Sequence, residues 1–225
     1  LELHDAGCPL SSIAILARVG YHLSAVERAL HSNGLPVKVL GATPFWTSPA
    51  VMLFTSLYNA MEPKVGLPES TEKAPIWLVS SLQERRRSRD FLPLAEMVIA
   101  ELHSNPPKKQ ASDEDRKAAW RHTLDQLLTE VEAAPDASEI AMKINAVRDA
   151  AETDEHVTAC TIHASKGLEW KHVFLIAMEE GVIPHRKSDD IEEERRLAYV
   201  GATRAADELY ITMSRERAKR ETNSS

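Results

Sequence analysis

The chain has 225 residues, 43% of them hydrophobic and 27% charged, with a formal net charge of −7. That length holds one domain, or one domain with an insertion, and the composition is that of an ordinary globular protein. The acidic balance argues against a surface that grips nucleic acid all over and leaves room for a local groove. No run approaches the roughly 20 apolar residues of a membrane span.

In chain order, LELHDAGCPL reads as a helix end with Gly7 near its C-terminus, followed by a connection. SSIAILAR reads as a buried strand with Arg18 at its end, HLSAVERALHSNG as an amphipathic helix closed by Asn33-Gly34, and LPVKVLG as a second strand. Strand, helix, strand makes one βαβ-like unit. SPAVMLFTSLYNAM is a helix and EPKVGLPESTEKAP a linker, while the period of IWLVSS leaves helix and strand open. FLPLAEMVIAELHS is helical and NPPKKQASDED a loop, in which Ser112 could cap the next helix with Asp115 three residues on. That helix, DRKAAWRHTLDQLLTEVEAA, places Ala119, Trp120, Leu124, Leu127 and Leu128 on its apolar side. SEIAMKINAVRDAAE is a further helix. The expected domains are residues 1–61 and 153–215, two parts of one α/β domain. A mostly helical insertion over 62–152 separates them, and a polar tail covers 216–225.

The second α/β part carries the densest signals. HVTACTI, HVFLIAM and ELYITM are short apolar runs that suit strands buried on both faces of a parallel sheet. Between the first two lies a loop with Thr161, His163, Ser165, Lys166, Gly167 and Glu169, expected at strand ends where open α/β sheets bind ligands. Gly167 suits a tight turn or the close approach of a ligand. In the helix IEEERRLAYVGATRAADE, Leu197, Val200 and Gly201 share a face with Arg204. A guanidinium on that stripe needs an anionic partner at the edge of the core or across an interface, or else snorkels from a helix end. Cys8 and Cys160 have no metal-ligand spacing and read as buried free thiols in a reducing, cytoplasmic compartment. Arg85, Arg86, Arg87 and Arg89 form a charge run that reads as a solvated face.

TIHASKGLEW, MEEGVIPH and EEERRLAYVGATRA, in that order, resemble motifs V and VI of the UvrD/Rep/PcrA type of superfamily-one DNA helicases, with the segment that joins them. AILAR followed by LSAVERALHSNGLPVKVLGATPFW resembles motif IV and its sequel, although Val-Gly-Tyr-His after Arg18 departs from the usual polar pattern. The resemblance implies a RecA-like parallel sheet flanked by helices, the second motor half of the helicase, with a shortened 2B-like helical insertion. A Gly-Ile-Gly duplex-contact motif is not found.

For Arg18 and Arg204 the resemblance implies arginine fingers on the γ-phosphate of ATP, a role suited to planar guanidiniums that stay charged. For Glu169 it implies a hydrogen bond with the ribose, beside Gly167. It places Thr161, His163, Lys166 and His185 on single-stranded DNA or a single–double strand junction. His163 at an apolar strand end could equally be a structural histidine. Neither a G-x-x-x-x-G-K-[ST] phosphate loop nor an acidic Mg2+ box is recognisable, and no metal site is expected in this chain. ATP with Mg2+ would therefore be held by an N-terminal half, with this chain inactive alone. The alternatives are the motor half of a helicase–nuclease subunit and a degenerate interaction module. Nothing in the sequence sets the oligomeric state.

Overall fold

The computed structural model describes residues 2–62, 67–70, 72–85, 90–112, 114–150 and 153–214. It divides into two compact units, Leu1–Ala42 with Asp154–Ser225, and Thr43–Thr153.

The first unit is α/β. Its five strands, β1 (Ile13–Ala17), β2 (Val37–Leu40), β3 (Val157–Thr161), β4 (Trp170–Ile176) and β5 (Ala205–Ile211), form one sheet in the order β2-β3-β1-β4-β5. Every pairing is parallel. This is the parallel sheet that the apolar runs predicted, and it is consistent with the RecA-like architecture that the resemblance implies. Alternation along the strands divides the core between two faces. Ala14, Leu16, Cys160, Val173 and Leu175 cluster with Leu197 of helix α8 (Ile191–Ala202). Ala17, Val37 and Ala159 cluster with Leu23 of helix α2 (Tyr21–Ser32). Strand β1, central in the order, is buried along most of its length, as expected, but β5 lies at the sheet edge and is largely exposed.

A short helix α1 (Glu2–Asp5) precedes the sheet and is followed by a turn at Gly7, which has φ +86°. Helix α2 closes as its sequence predicts: Gly34 takes φ +70°, and the Leu35 N–H returns to the Leu30 carbonyl. Helix α8 starts at Asp190, whose carboxylate accepts the Glu193 N–H at 2.9 Å. Glu192, Glu193 and Glu194 fill its first turn, where the helix dipole favours negative charge.

The second unit is helical: α3 (Pro49–Met61), α4 (Ile76–Arg85), α5 (Phe91–Ser104), α6 (Glu114–Ala133) and α7 (Ala137–Ala150). It begins at Thr43 rather than at the expected 62, because the apolar residues of α3 join the core of the helical unit. IWLVSS resolves as helix, burying Leu78 and Leu82 one turn apart while Ile76 and Trp77 stay exposed. On α6 the buried stripe is Trp120, Leu124, Leu127 and Val131, whereas Ala119 is exposed. The Ser112 hydroxyl donates to the Lys109 carbonyl and accepts from Arg116 Nη1 at 3.2 Å. The Asp115 side chain and the tail beyond 214 lie outside the described residues. Among the described residues no helix is long and apolar enough to cross a membrane.

Candidate functional site

In a parallel sheet all strands end at one edge, so the register fixes where each candidate residue stands. Arg18 directly follows β1, and Thr161 is the last residue of β3, level with Ala17. His163 opens a 3-10 turn, His163–Ser165, immediately beyond Thr161. Gly41, at the same edge after β2, sits close against this turn. A Cβ there would stand 2.5 Å from both Thr161 Oγ1 and Ala164 Cβ, and its φ of +71° also demands glycine. Thr161 is buried and its hydroxyl accepts the Ala164 N–H at 3.4 Å, which ties the strand end to the turn. His163 and Lys166 are exposed, with no hydrogen bond or ion pair among the described residues. His163 is therefore not a buried structural histidine.

Arg18 does not stand free at this edge. Its Nε lies 3.2 and 3.0 Å from the two carboxylate oxygens of Glu194, and its Nη2 donates to Oε1 at 2.8 Å. Glu194 is 3% exposed and Arg18 21%. The His185 backbone N–H donates to the same carboxylate at 3.0 Å, so the segment joining β4 to α8 meets the end of β1 there. The Arg18 guanidinium, helped by the His185 N–H and opposed by burial, holds the Glu194 carboxyl below its ordinary value; Arg18 is correspondingly raised by its bond to Glu194. Glu194 is one of three adjacent glutamates, and charge alone does not single it out. The signal was present: Glu194, Leu197 and Gly201 fall at i, i+3, i+7, on the packing stripe.

The other candidates lie at the opposite edge. The loop after β3 runs down the sheet, through Gly167 at φ +83°, to Glu169 directly before β4. Glu169 is exposed, without a hydrogen bond or ion pair among the described residues. Arg204 lies between the end of α8 and β5. Its Nε donates to the Val200 carbonyl at 3.0 Å, its Nη1 to the Leu168 carbonyl at 3.0 Å, and its Nη2 to Thr203 Oγ1 at 3.1 Å. The Trp170 N–H returns to the Arg204 carbonyl at 3.0 Å. No described carboxylate pairs with Arg204 at the core edge; neutral oxygens at the end of α8 and in the loop hold it there. Three of its five guanidinium N–H groups are used, leaving two for an outside anion.

The structure therefore does not bring Arg18 and Arg204 together. Ala17 pairs with Ile176 at one end of β4, and Ala205 pairs with Trp170 at the other. These levels are six residues apart (176 − 170), roughly 20 Å at strand rise. Each arginine head is already turned to partners at its own edge. The structure does bring Glu169 and Arg204 to one edge, and Arg18, Thr161, His163 and His185 to the other.

Of the basic run, Arg85 pairs with Glu101 of α5 in the helical unit, while Arg86, Arg87 and Arg89 lie outside the described residues. Cys160 is fully buried, but Cys8 is half-buried, its Sγ 3.6 Å from His172 Nε2. Among the described residues no group of three or more His, Cys, Asp or Glu could hold a metal ion.

A family model described as the UvrD-like helicase C-terminal domain matches residues 89–216. The chain is 27% identical to the ATP-dependent DNA helicase Rep of Salmonella typhimurium, over 91% of this chain and 40% of that protein. It is likewise 27% identical to Rep of Escherichia coli, with the same two coverages. It is 42% identical to the ATP-dependent DNA helicase PcrA of Bacillus subtilis over 99 residues, 42% of this chain and 13% of that protein. The chain thus spans about 40% of the length of the Rep helicases that it matches.

Proposed function

We propose that this chain, which belongs to the UvrD-like helicase C-terminal domain family, is the second motor half of an ATP-dependent DNA helicase. In this reading its two sheet edges do different work. The edge with Glu169 and Arg204 faces ATP and Mg2+ held by an N-terminal half. The edge with Thr161, His163, Arg18 and His185 faces single-stranded DNA.

The observation that carries the reading is the separation itself. One loop, residues 162–169, starts at the DNA-facing edge and ends at the nucleotide-facing edge, and Arg204 holds its far end through the Leu168 carbonyl. A motor needs such a link, because hydrolysis at one place must be felt at another. Hydrolysis of ATP depends mainly on positioned positive charge around the transferring phosphoryl group. Arg204 supplies one such charge with two N–H groups uncommitted, and Glu169 supplies an exposed carboxylate for a ribose hydroxyl. Arg18, bound to Glu194 at the other edge, is not assigned to the phosphoryl group.

The test is single-strand-stimulated ATP hydrolysis by the full-length protein that carries this chain. Arg204→Ala is expected to lower turnover about a thousandfold while single-strand binding persists. His163→Ala is expected to weaken single-strand binding instead. Wild-type turnover in Arg204→Ala would sink the reading.

A further inference from the structure

We infer that Glu194 is the positioning residue of the DNA-facing edge: its buried carboxylate fixes Arg18 and the His185 backbone in one frame and presents the remaining edge of Arg18 to a backbone phosphate of single-stranded nucleic acid. This rests on the reading of that edge as DNA-facing.

A carboxylate at 3% exposure is costly to desolvate unless its lone pairs are met. Here they are met by donors from two segments, one 176 residues away and the other nine. Arg18, from the end of β1, approaches side-on through Nε and Nη2. His185, from the segment after β4, gives its backbone N–H. Glu194 itself is held in the first turn of α8, one residue beyond the Glu193 N–H that the Asp190 cap receives. The three segments thus converge on one charge.

The side-on grip decides what Arg18 can still do. A guanidinium has five N–H donors in a rigid planar fork. The carboxylate occupies the Nε–Nη2 edge and leaves Nη1 without a hydrogen bond among the described residues, so the end-on edge is open. The Arg18 side chain is 21% exposed, enough for that edge to meet solvent. Thr161 and His163 stand at the same edge of the sheet. A phosphate suits this arrangement, since it takes two parallel N–H bonds from a pre-oriented guanidinium. Contacts of this kind position a strand without reading its sequence.

The opposing possibility is that Glu194 merely neutralises Arg18, and the two predict opposite signs. The measurement is the affinity of the full-length protein for an oligothymidylate across a range of KCl concentrations. It is made for wild type, Arg18→Ala, Glu194→Ala, Glu194→Gln and the Arg18→Ala/Glu194→Ala double variant. Arg18→Ala is expected to weaken binding about tenfold and to lower the salt slope by about 0.7, the value of one single-strand phosphate contact. Glu194→Ala should do the same, the double variant no more than either, and Glu194→Gln, which keeps one acceptor oxygen, less. Thermal melts check folding, and Glu194→Gln decides if Glu194→Ala does not fold.

Binding by the Glu194 variants as tight as wild type or tighter, or single losses that add in the double variant, would overturn the inference. Unchanged binding by Arg18→Ala, with His163→Ala weakened, overturns it and leaves the DNA-facing edge standing. Unchanged binding by both sinks the edge as well.

Discussion

At the scale of single residues, charge and burial give measurable consequences. The Glu194 carboxyl lies below its ordinary value of 4.5, chiefly because Arg18 donates to it. A depressed carboxyl favours the ionised form in the folded state. Its stabilisation is therefore complete above about pH 4.5 and is lost as pH falls through the folded-state value. Urea unfolding between pH 3 and 7 should show stability falling on acidification, with a shallower fall in Glu194→Gln. An equal fall in both proteins would mean that the pair contributes nothing. The two thiols should also separate. Burial pushes Cys160 up to about 12, and no surface of it is exposed. In native protein an alkylating reagent should modify Cys8 and spare Cys160 until denaturant is added. Early labelling of Cys160 would contradict its place in the sheet.

At the scale of elements, α8 approaches the sheet through a glycine. A Cβ on Gly201 would meet Leu175 Cδ1 at 3.1 Å and Ile162 Cγ2 at 3.4 Å, both side chains of the packed core. Gly201→Val should destabilise by about 1–3 kcal/mol, the usual effect of overpacking, read from the urea midpoint. A stable Gly201→Val would mean that α8 can move off the sheet without loss. In the helical unit the corresponding contact is Leu124, fully buried on α6 between Trp120 and Leu127. Leu124→Ala should cost about 2–5 kcal/mol through lost burial and the cavity left behind. Ala119→Ser, one residue from Trp120 but exposed, should stay within about 0.5 kcal/mol.

At the scale of the whole molecule, the chain folds as two units with separate cores. The largest apolar cluster draws all its buried members from Phe45 to Val147 and takes none from the sheet. A domain with its own core can fold alone. Residues 43–153 expressed by themselves should give a helical far-UV spectrum and a cooperative melt, while residues 62–153, lacking α3, should not. Cooperative folding of the shorter piece would return the boundary to the linker.

Much of this was legible in the sequence because it depends on neighbours along the chain. The apolar runs in SSIAILAR, HVTACTI and HVFLIAM gave strands through composition and length. The Asn33-Gly34 stop gave the end of α2. The order of TIHASKGLEW and EEERRLAYVGATRA gave the family. These signals are local in period, in turn chemistry or in motif order. The sequence could not divide the candidate residues between two edges, because that depends on strand register. Arg18 and Arg204 both sit at ends of core elements in the sequence, yet one follows a strand and the other precedes one, and only parallel pairing turns that difference into a distance. Helical spacing put Glu194 on the packing stripe but could not name its partner, which lies 176 residues away. Burial of that one carboxylate follows from how α8 lies on the sheet, and the energy of a buried charge is set by the partners that packing brings to it.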